Sequence, residues 1–439
     1  MSRIADIAAA LAGYDPKALS VEGVQDFLHR LVEPTVVSGR DDLALFDALG
    51  RVLADDIVSP FDVPPHDNSA MDGFAFDGAL LDGAAGELTL RVVGTALAGA
   101  VWRGSVGPGE ALKIMTGAVM PAGLDTVVPQ EFCKLDADTL RFPASALRRG
   151  DNRRFAGEDL KAGRPALDRG TRVTPAALGL LASLGLPRVP VLRRLRVAYF
   201  STGDEILSLG DAPREGAVYD SNRYTVFGLL TRLGCEVIDL GMVRDDPATL
   251  EATLQRAAQE ADAIITSGGV SVGEADHTRA VMQRLGDMAF WRIAMRPGRP
   301  MAVGLIPRLP RLPSADDGGA AVLFGLPGNP VAVMVTFLAF VRPALLQMMG
   351  CSAADAAPPP LLRARSAGAI RKKPGRTEYQ RGFVTARHGT LPEVRIAGNQ
   401  GSGVLSSMVE ANGLVVLHHD QHGIAAGDEV DVMMFEGVI

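Results

Sequence analysis

The stretch TSGGVSVGEADHT, residues 266–278, decides the fold of the central part of the chain. It follows the apolar run ADAII directly, so a buried strand passes into adjacent glycines, hydroxyls and carboxylates, and a helix is expected to begin near residues 274–276. The same order of strand, polar loop and helix recurs through residues 196–350, where strands such as LRVAYF and EVIDLG alternate with helices such as PATLEATLQRAAQEA. This alternation predicts right-handed crossovers and a doubly wound, mostly parallel sheet with helices on both faces.

Composition limits the classes of function. A chain of 439 residues is too long for a single hydrophobic core. Its contents of 47% hydrophobic and 22% charged residues are typical of a soluble globular protein. A formal net charge of −7 disfavours nucleic acid as a partner. The three cysteines form no CxxC pair, which indicates reduced thiols in a cytoplasmic protein. The N-terminus makes a poor signal peptide, and LPGNP interrupts the longest apolar region, so no membrane partner is expected.

Changes in residue composition and hydrophobic periodicity along the chain predict four domains. Residues 1–60 together with 159–195 form a helical and linker domain, into which a turn-rich β domain of residues 61–158 is inserted. Residues 196–350 form the α/β domain. Residues 358–439, after a proline-rich linker, carry short strands that predict a small C-terminal β-barrel domain.

Three residues are candidate boundaries of helices in the α/β domain. Asn222 is a candidate N-cap of the helix RYTVFGLLTRLG, and Gly234 is its candidate stop. Asp246 is expected to cap the next helix, with Pro247 at its first position.

Five loops follow strands of the predicted sheet, and ligands of such sheets bind beyond the carboxyl ends of the strands. These loops hold glycines, hydroxyls, arginines and several carboxylates, a mixture that a purely structural rim does not need. They are STGDEI (201–206), GMVRDDP (241–247), TSGGVSVGEADHT (266–278), MRPGRP (295–300) and GLPGNP (325–330).

The glycine loop has the features of an anion site. Gly268 and Gly269 allow positive φ and close approach of a ligand, and successive N–H groups form a nest with the hydroxyls of Ser267 and Ser271. A plain glycine-rich connection with Asp276 as an N-cap explains the same residues, because short glycine motifs occur by chance.

Three carboxylates occupy three of these loops: Glu205, Asp245 and Asp276. Acids that converge beside a phosphate imply a divalent cation, and Mg²⁺ binds carboxylates, phosphate oxygens and water. The alternative is helix capping, for which Asp246 is the clearest case.

The segment WRIAMRPGRP carries Arg292, Arg296 and Arg299 among prolines and glycine, which suits a phosphate or another oxyanion. The alternative is a solvated strand end. The following GLPGNP motif predicts a rigid entry into a helix.

Polar segments outside the α/β domain are further candidates. Asp62, Asp67 and Asp72 lie in FDVPPHDNSAMDGFAF, Thr116 follows a strand, and DNRRFAGEDL (151–160) is rich in charge; each is also explained as a capped turn. The HHDQH run (418–422) is interpreted as a polar hairpin turn rather than a metal site.

Seven motifs occur in the order in which they stand in a known family: NSAMDG, IMTGA, GED, STGDE, TSGGVSVGEADHT, PGRP and LPGNPV. From about residue 20 to the C-terminus the chain resembles the molybdopterin molybdotransferase family, the MoeA type that includes the gephyrin E-domain. The resemblance implies four domains, an elongated homodimer and a molybdopterin-binding α/β domain. It also implies that adenylylated molybdopterin and molybdate react with Mg²⁺ to release AMP, at a site between the α/β domain of one subunit and the β domain of the other.

The resemblance also implies roles for residues at matching positions. The expected catalytic residues are Asp72, Thr116, Asp159, Glu205, Asp245 and Asp276, of which Glu205, Asp245 and Asp276 would hold Mg²⁺. The expected binding residues are Arg154, Ser201, Thr202, Gly203, Gly268, Gly269, Ser271, Gly273, Arg292, Arg296, Pro297, Gly298, Pro327, Gly328 and Pro330. The chain departs from the family by carrying arginine at 292, 296 and 299, where lysine is common, and Phe74 in place of tyrosine.

Two other functions remain open. A molybdopterin-binding scaffold without turnover would not need the full set of acids. A molybdopterin adenylyltransferase would consume ATP, but that fold generally stands alone. Contact with other molybdenum cofactor enzymes is a further expectation.

Overall fold

The computed structural model describes residues 2–269, 276–308 and 319–438. The chain forms two compact units. Unit 1 consists of Met1–Ala54, Gly170–Thr174 and Arg188–Ile439, and unit 2 consists of Asp55–Arg169 and Pro175–Pro187. Unit 2 is therefore inserted in the sequence of unit 1.

The N-terminal part of unit 1 contains α1 (Arg3–Ala10), α2 (Val21–Val32) and β1 (Arg40–Ala44). Serine side chains cap both helices: Ser2 accepts a hydrogen bond from an N–H of α1, and Ser20 accepts one from an N–H of α2. In α2 the buried residues Val24, Phe27 and Leu31 recur every three to four positions, so one face of the helix enters the core.

Unit 2 is a turn-rich β structure with one helix. Its strands are β2 (Ile57–Val58), β3 (Asn68–Ser69), β4 (Gly73–Phe76), β5 (Glu87–Ala96), β6 (Glu110–Ile114), β7 (Thr126–Pro129), β8 (Lys134–Asp136), β9 (Thr139–Pro143), β10 (Arg153–Arg154) and β11 (Pro165–Leu167), and its helix is α3 (Pro175–Ser183). The main sheet has the order β7-β4-β6-β5-β9-β8. Phe74 and Phe76 enter one hydrophobic cluster, whereas Ala75 enters another, as the period of two in a strand requires.

The chain returns to unit 1 through β12 (Arg188–Leu192), which pairs antiparallel with β1. The α/β part follows. Its strands are β13 (Arg196–Thr202), β14 (Ile206–Leu207), β15 (Val218–Tyr219), β16 (Glu236–Val243), β17 (Ala263–Ser267), β18 (Asp287–Arg292), β19 (Met295–Arg296), β20 (Pro300–Pro307) and β21 (Ala320–Leu326). Its helices are α4 (Ser221–Leu233), α5 (Pro247–Glu260), α6 (Asp276–Leu285), α7 (Pro330–Thr336) and α8 (Arg342–Met348).

The central sheet has the order β16-β13-β17-β21-β20-β18, in which β16, β13, β17 and β21 are parallel. Neighbouring residues of β13 face different cores, with Tyr199 in one hydrophobic cluster and Phe200 in the other. Burial on both faces explains why these strands are continuous apolar runs in the sequence. The strand β20 was not predicted. It turns back after MRPGRP and lies antiparallel between β21 and β18, so alternation of strand and helix gives no signal for it.

The predicted helix boundaries are correct with one exception. Gly234 ends α4 with a φ of 96°, and Asp246 caps α5 with Pro247 in its first turn. The prediction of Asn222 as the N-cap of α4 is wrong. The cap is Asp220, whose side chain accepts from the N–H of Arg223, and the helix already includes Ser221.

The helical segment Pro330–Met348 comprises α7, a π-helical turn Phe337–Val341 and α8. It is long and apolar enough to span a membrane by length and composition, but 89% of its most apolar window is buried inside the protein. Such burial is typical of a core helix.

The C-terminal part of unit 1 is a closed five-stranded barrel. It contains α9 (Ala353–Ala356), β22 (Leu362–Ser366), β23 (Thr377–Thr385), β24 (Glu393–Ile396), α10 (Ser406–Glu410), β25 (Gly413–Leu417) and β26 (Glu429–Met434). The strands close in the order β22-β24-β23-β25-β26, and β26 pairs with β22. The short strand β19 pairs with β23 and so connects the loop MRPGRP to the barrel.

Candidate active site

A cavity of about 1000 Å³ lies at the carboxyl ends of the parallel strands of unit 1. All five loops singled out in the sequence contribute to it. The lining residues from these loops are Ser201, Thr202, Gly203, Glu205, Ile206, Asp245, Ser267, Gly268, Gly269, Arg296, Pro297, Gly298, Arg299, Pro300, Pro327, Gly328, Asn329 and Pro330. Since these residues are scattered over about 130 positions of the sequence, only the topology of the sheet brings them together.

The glycine loop is held tightly against the end of β13. Gly268 and Gly269 have φ values of 89° and 67°. A Cβ atom at Gly268 would lie 2.3 Å from the carbonyl oxygen of Thr202, so only glycine fits there. The N–H of Gly268 donates to the carbonyl of Leu326. This N–H is therefore not available to a ligand, and since residues 270–275 lie outside the described part of the chain, a nest formed by the later N–H groups of the loop stays a prediction. Ser271 and Gly273 lie outside the described residues.

A buried network of hydroxyl groups lies below this loop. The hydroxyl of Tyr199 is 2.6 Å from Oγ of Ser267 and 2.9 Å from Oγ of Ser201. Burial raises the pKa of Tyr199, so its phenol stays protonated. A phenol has one hydrogen to donate, so Tyr199 donates to one serine and accepts from the other. It thereby fixes two hydroxyls at the cavity wall.

Two of the predicted carboxylates, Glu205 and Asp245, line the same cavity. Desolvation, followed by repulsion from Asp204 and Glu205, raises the pKa of Asp245 above its ordinary value. A Cβ atom at position 203 would lie 2.6 Å from the carboxylate of Glu205. Because Gly203 has no side chain, the loop leaves space for that carboxylate. A pair of acids that repel each other in a cavity fits a divalent cation, which would relieve the repulsion.

The predicted third acid is only partly described. Asp276 is the first residue of α6, but its side chain lies outside the description. Within residues 2–269, 276–308 and 319–438, no group of three His, Cys, Asp or Glu side chains is arranged to hold a metal. The run HHDQH contains the predicted turn, in which the N–H of Gln421 donates to the carbonyl of His418 at 3.1 Å, and Nε2 of His418 lies 2.7 Å from Asp431.

Two of the three predicted arginines line the cavity. Arg296 and Arg299 do so, whereas Arg292 does not. Side chains of β18 alternate between the two faces of the strand, with Trp291 buried and Arg292 exposed at its end. The expected ligand contact of Arg292 is therefore corrected.

The barrel contributes residues to the cavity that the sequence did not indicate: Arg376, Gln400, Ser402, Gly403 and Leu405. Arg376 forms an ion pair with Glu378 at 2.7 Å. Arg296 and Arg376 also line a second cavity of about 570 Å³ together with Arg371 and Lys373. The first cavity is thus lined by three guanidinium groups, those of Arg296, Arg299 and Arg376, beside its acids.

Two of the candidates in unit 2, Asp72 and Thr116, are in direct contact. The carboxylate of Asp72 accepts hydrogen bonds from the N–H and the hydroxyl of Thr116, both at 2.7 Å. These bonds lower the pKa of Asp72 and keep it ionised. Arg154 and Asp159 are exposed, and Nε of Arg154 lies 3.9 Å from Glu158.

A second polar connection in unit 2 ties together the two segments that the sequence singled out. The carboxylate of Asp67 pairs with Arg153 and accepts from the N–H of Ala156 at 2.7 Å. The segments 61–76 and 151–160 therefore hold each other in place through charge.

Fold and site together define a multidomain protein whose α/β part carries, at the carboxyl ends of its strands, a cavity lined by acids and arginines, to which the barrel part adds a further arginine. Three protein-family models match the chain. They are the MoeA N-terminal region (domain I and II) at residues 19–185, the probable molybdopterin binding domain at 198–347 and the MoeA C-terminal region (domain IV) at 363–435.

Relatives and solved structures agree over nearly the whole length. The chain is 40% identical to a molybdopterin molybdenumtransferase of Haemophilus influenzae, covering 90% of this chain and 94% of that one. It is 35% identical to one of Nostoc sp., covering 94% and 93%. A crystal structure of the molybdopterin biosynthesis moeA protein from Pyrococcus horikoshii OT3 matches with a TM-score of 0.75 at 27% identity, covering 95% and 100%. The chain belongs to the molybdopterin molybdenumtransferase family.

Proposed function

We propose that the protein is a molybdopterin molybdotransferase, which joins molybdenum from molybdate to the dithiolene of adenylylated molybdopterin and releases AMP. The family match supports this function, and the observation that carries it is the single cavity in which Glu205 and Asp245 face Arg296 and Arg299. Acids without cations would repel both phosphate and molybdate, whereas this cavity offers both charges together.

The charged and the neutral side chains of the cavity have different roles. Arg296 and Arg299 hold oxyanions, and Arg376 adds a third guanidinium at the barrel side. The hydroxyls of Ser201 and Ser267, fixed by Tyr199, supply neutral donors at the other wall. Held in this way, the phosphoanhydride and molybdate are oriented before reaction, which lowers the entropic part of the barrier.

We propose that Glu205 and Asp245, with Asp276, hold Mg²⁺. Burial, followed by repulsion from Asp204 and Glu205, raises the pKa of Asp245, and this supports the assignment because a cation would relieve the repulsion. When bound, Mg²⁺ would neutralise charge on the phosphate oxygens. The chain's own part is to place Glu205 and Asp245 in the same cavity as the arginines.

The test uses purified protein with adenylylated molybdopterin, molybdate and Mg²⁺. Release of AMP together with formation of the molybdenum cofactor is expected. Binding of the pterin without release of AMP would instead identify a scaffold, and consumption of ATP with unmodified molybdopterin would identify an adenylyltransferase. Unchanged release of AMP by Asp276→Asn would remove Asp276 from the mechanism.

We further propose that the protein acts in the cytoplasm as a homodimer. Each active site would then use Asp72 of one subunit and Asp245 of the other. Mixing inactive Asp72→Asn and Asp245→Asn subunits then restores about one quarter of the wild-type activity, because half of the dimers are mixed and half of their sites are intact. Recovery of no activity from a mixture that forms mixed dimers would contradict this sharing.

A further inference from the structure

The start of α4 forms part of the cavity wall. Asp220 and Asn222 both line the cavity and are only 4% and 7% exposed. Oδ1 of Asp220 accepts from the N–H of Arg223 at 3.1 Å and so caps the helix. Oδ2 of Asp220 has no hydrogen-bond partner in the part of the chain that the structure describes.

The orientation of Asn222 is set by its neighbours. Its Nδ2 donates to the carbonyl of Gly328 at 2.7 Å and lies 3.4 Å from Oγ of Ser267. A carbonyl oxygen only accepts, so the nitrogen of the amide must face Gly328. Oδ1 of Asn222 is then left without a partner among the described residues. Two residues of one helix start therefore carry unused acceptors.

Buried acceptors without a partner are rare in folded proteins, and a carboxylate oxygen is the most costly kind. Their partner must be a hydrogen-bond donor. Among the described residues no acids or histidines assemble around Asp220 to hold a metal. Water is one such donor, and the N–H groups of a ligand bound in the cavity are another.

We propose that Asp220 and Asn222 recognise the 2-amino-4-oxo pyrimidine edge of the pterin, accepting from its 2-amino group and its ring N3–H. This inference rests on the proposed function, which makes a pterin the substrate. The pterin edge presents two adjacent donors, which match two acceptors. The adenine of the AMP half presents an amino group beside an acceptor nitrogen, so it does not match.

The decisive variant is Asp220→Asn. Asparagine caps helices as well as aspartate does and has the same shape, so α4 is retained. The free oxygen becomes either a neutral acceptor or an NH₂ group that opposes the donors of the pterin. A lost hydrogen bond to a charged group predicts that the Kd for adenylylated molybdopterin, measured without molybdate, rises about tenfold or more. The KM for molybdate stays unchanged.

The matched control is Asp246→Asn. Asp246 caps α5 in the same way, by accepting from the N–H of Thr249, and it does not line the cavity. The control removes one carboxylate from a helix cap in the same domain, and its Kd for the pterin should equal that of the wild type. If Asp220→Asn fails to fold, Asp220→Ser retains a capping oxygen and removes the second one.

Competition with simple pteridines tests the direction of the hydrogen bonds. 2-Amino-4-oxopteridine should inhibit the wild-type protein at a lower concentration than the 2,4-dioxo compound does. In Asp220→Asn the ratio of the two inhibition constants should move towards one or be reversed. An unchanged Kd in both Asp220 variants, an unchanged ratio, or a rise in the KM for molybdate alone would overturn the proposal. Failure of the proposed function is separable, because it would appear as wild-type protein that binds the pterin but releases no AMP.

Discussion

A methyl group added at Gly268 tests the packing of the glycine loop against the end of β13. The Cβ of Gly268→Ala would lie 2.3 Å from the carbonyl oxygen of Thr202, whereas Cβ atoms keep at least 3.0 Å from such atoms, so backbone must move by about 0.7 Å. The φ of 89° costs alanine about 1–2 kcal/mol, and displacing packed backbone adds about 1–3 kcal/mol. We expect a total loss of about 2–5 kcal/mol in the free energy of unfolding.

The control is Gly210→Ala. Gly210 has a φ of 96° but open space around its Cβ position, so its loss should be only the backbone part, about 1–2 kcal/mol. Urea unfolding followed by Trp291 fluorescence reports on unit 1, because Trp291 is buried in β18. Both variants carry Trp102→Phe, which removes the second tryptophan, located in unit 2.

The same displacement predicts a functional effect. A shift of this size at the cavity wall should lower the rate of AMP release on the order of 10²-fold for Gly268→Ala and leave Gly210→Ala near the wild type. If Gly268→Ala loses no more stability than Gly210→Ala, the close approach to Thr202 is absent and the reasoning is refuted.

Three further changes test the electrostatics and hydrogen bonds of the two units. Asp245→Asn should raise the free energy of unfolding at neutral pH, because the raised pKa of Asp245 makes its ionised form destabilising. The destabilisation by the ionised carboxylate grows as the pH rises through the raised pKa of Asp245 and is absent below the ordinary aspartate pKa. In acid, urea unfolding should therefore show no gain in the free energy of unfolding for Asp245→Asn. Thr116→Val should move the pKa of Asp72 up towards its ordinary value in an NMR titration, whereas Thr116→Ser should not. Tyr199→Phe should cost about 1–3 kcal/mol in urea unfolding, since it leaves two buried serine hydroxyls without their partner; a neutral result would contradict the network.

The α/β fold and its rim of loops could be predicted because both follow from local patterns. Strands buried on both faces appear as apolar runs, and parallel strands place their carboxyl ends on one edge. The errors occur where a local pattern has two solutions. Asp220 and Asn222 are both good N-caps, and only tertiary contact of Asn222 with Gly328 decides between them. The antiparallel strand β20 lacks the helix that signals a crossover.

The contribution of the barrel could not be predicted from periodicity, because it depends on contacts between segments far apart in the sequence, one of which is the short pairing between β19 and β23. That pairing places Arg296 opposite Glu378, about eighty positions away, and no pattern within either segment specifies it. The strand TEYQRG nevertheless contains a signal. A buried charged side chain must be paired, and Arg381, 1% exposed, donates to the carbonyls of Asn399 and Gly401. Its buried guanidinium therefore holds the loop that presents Ser402 to the cavity, and so supports the site from behind.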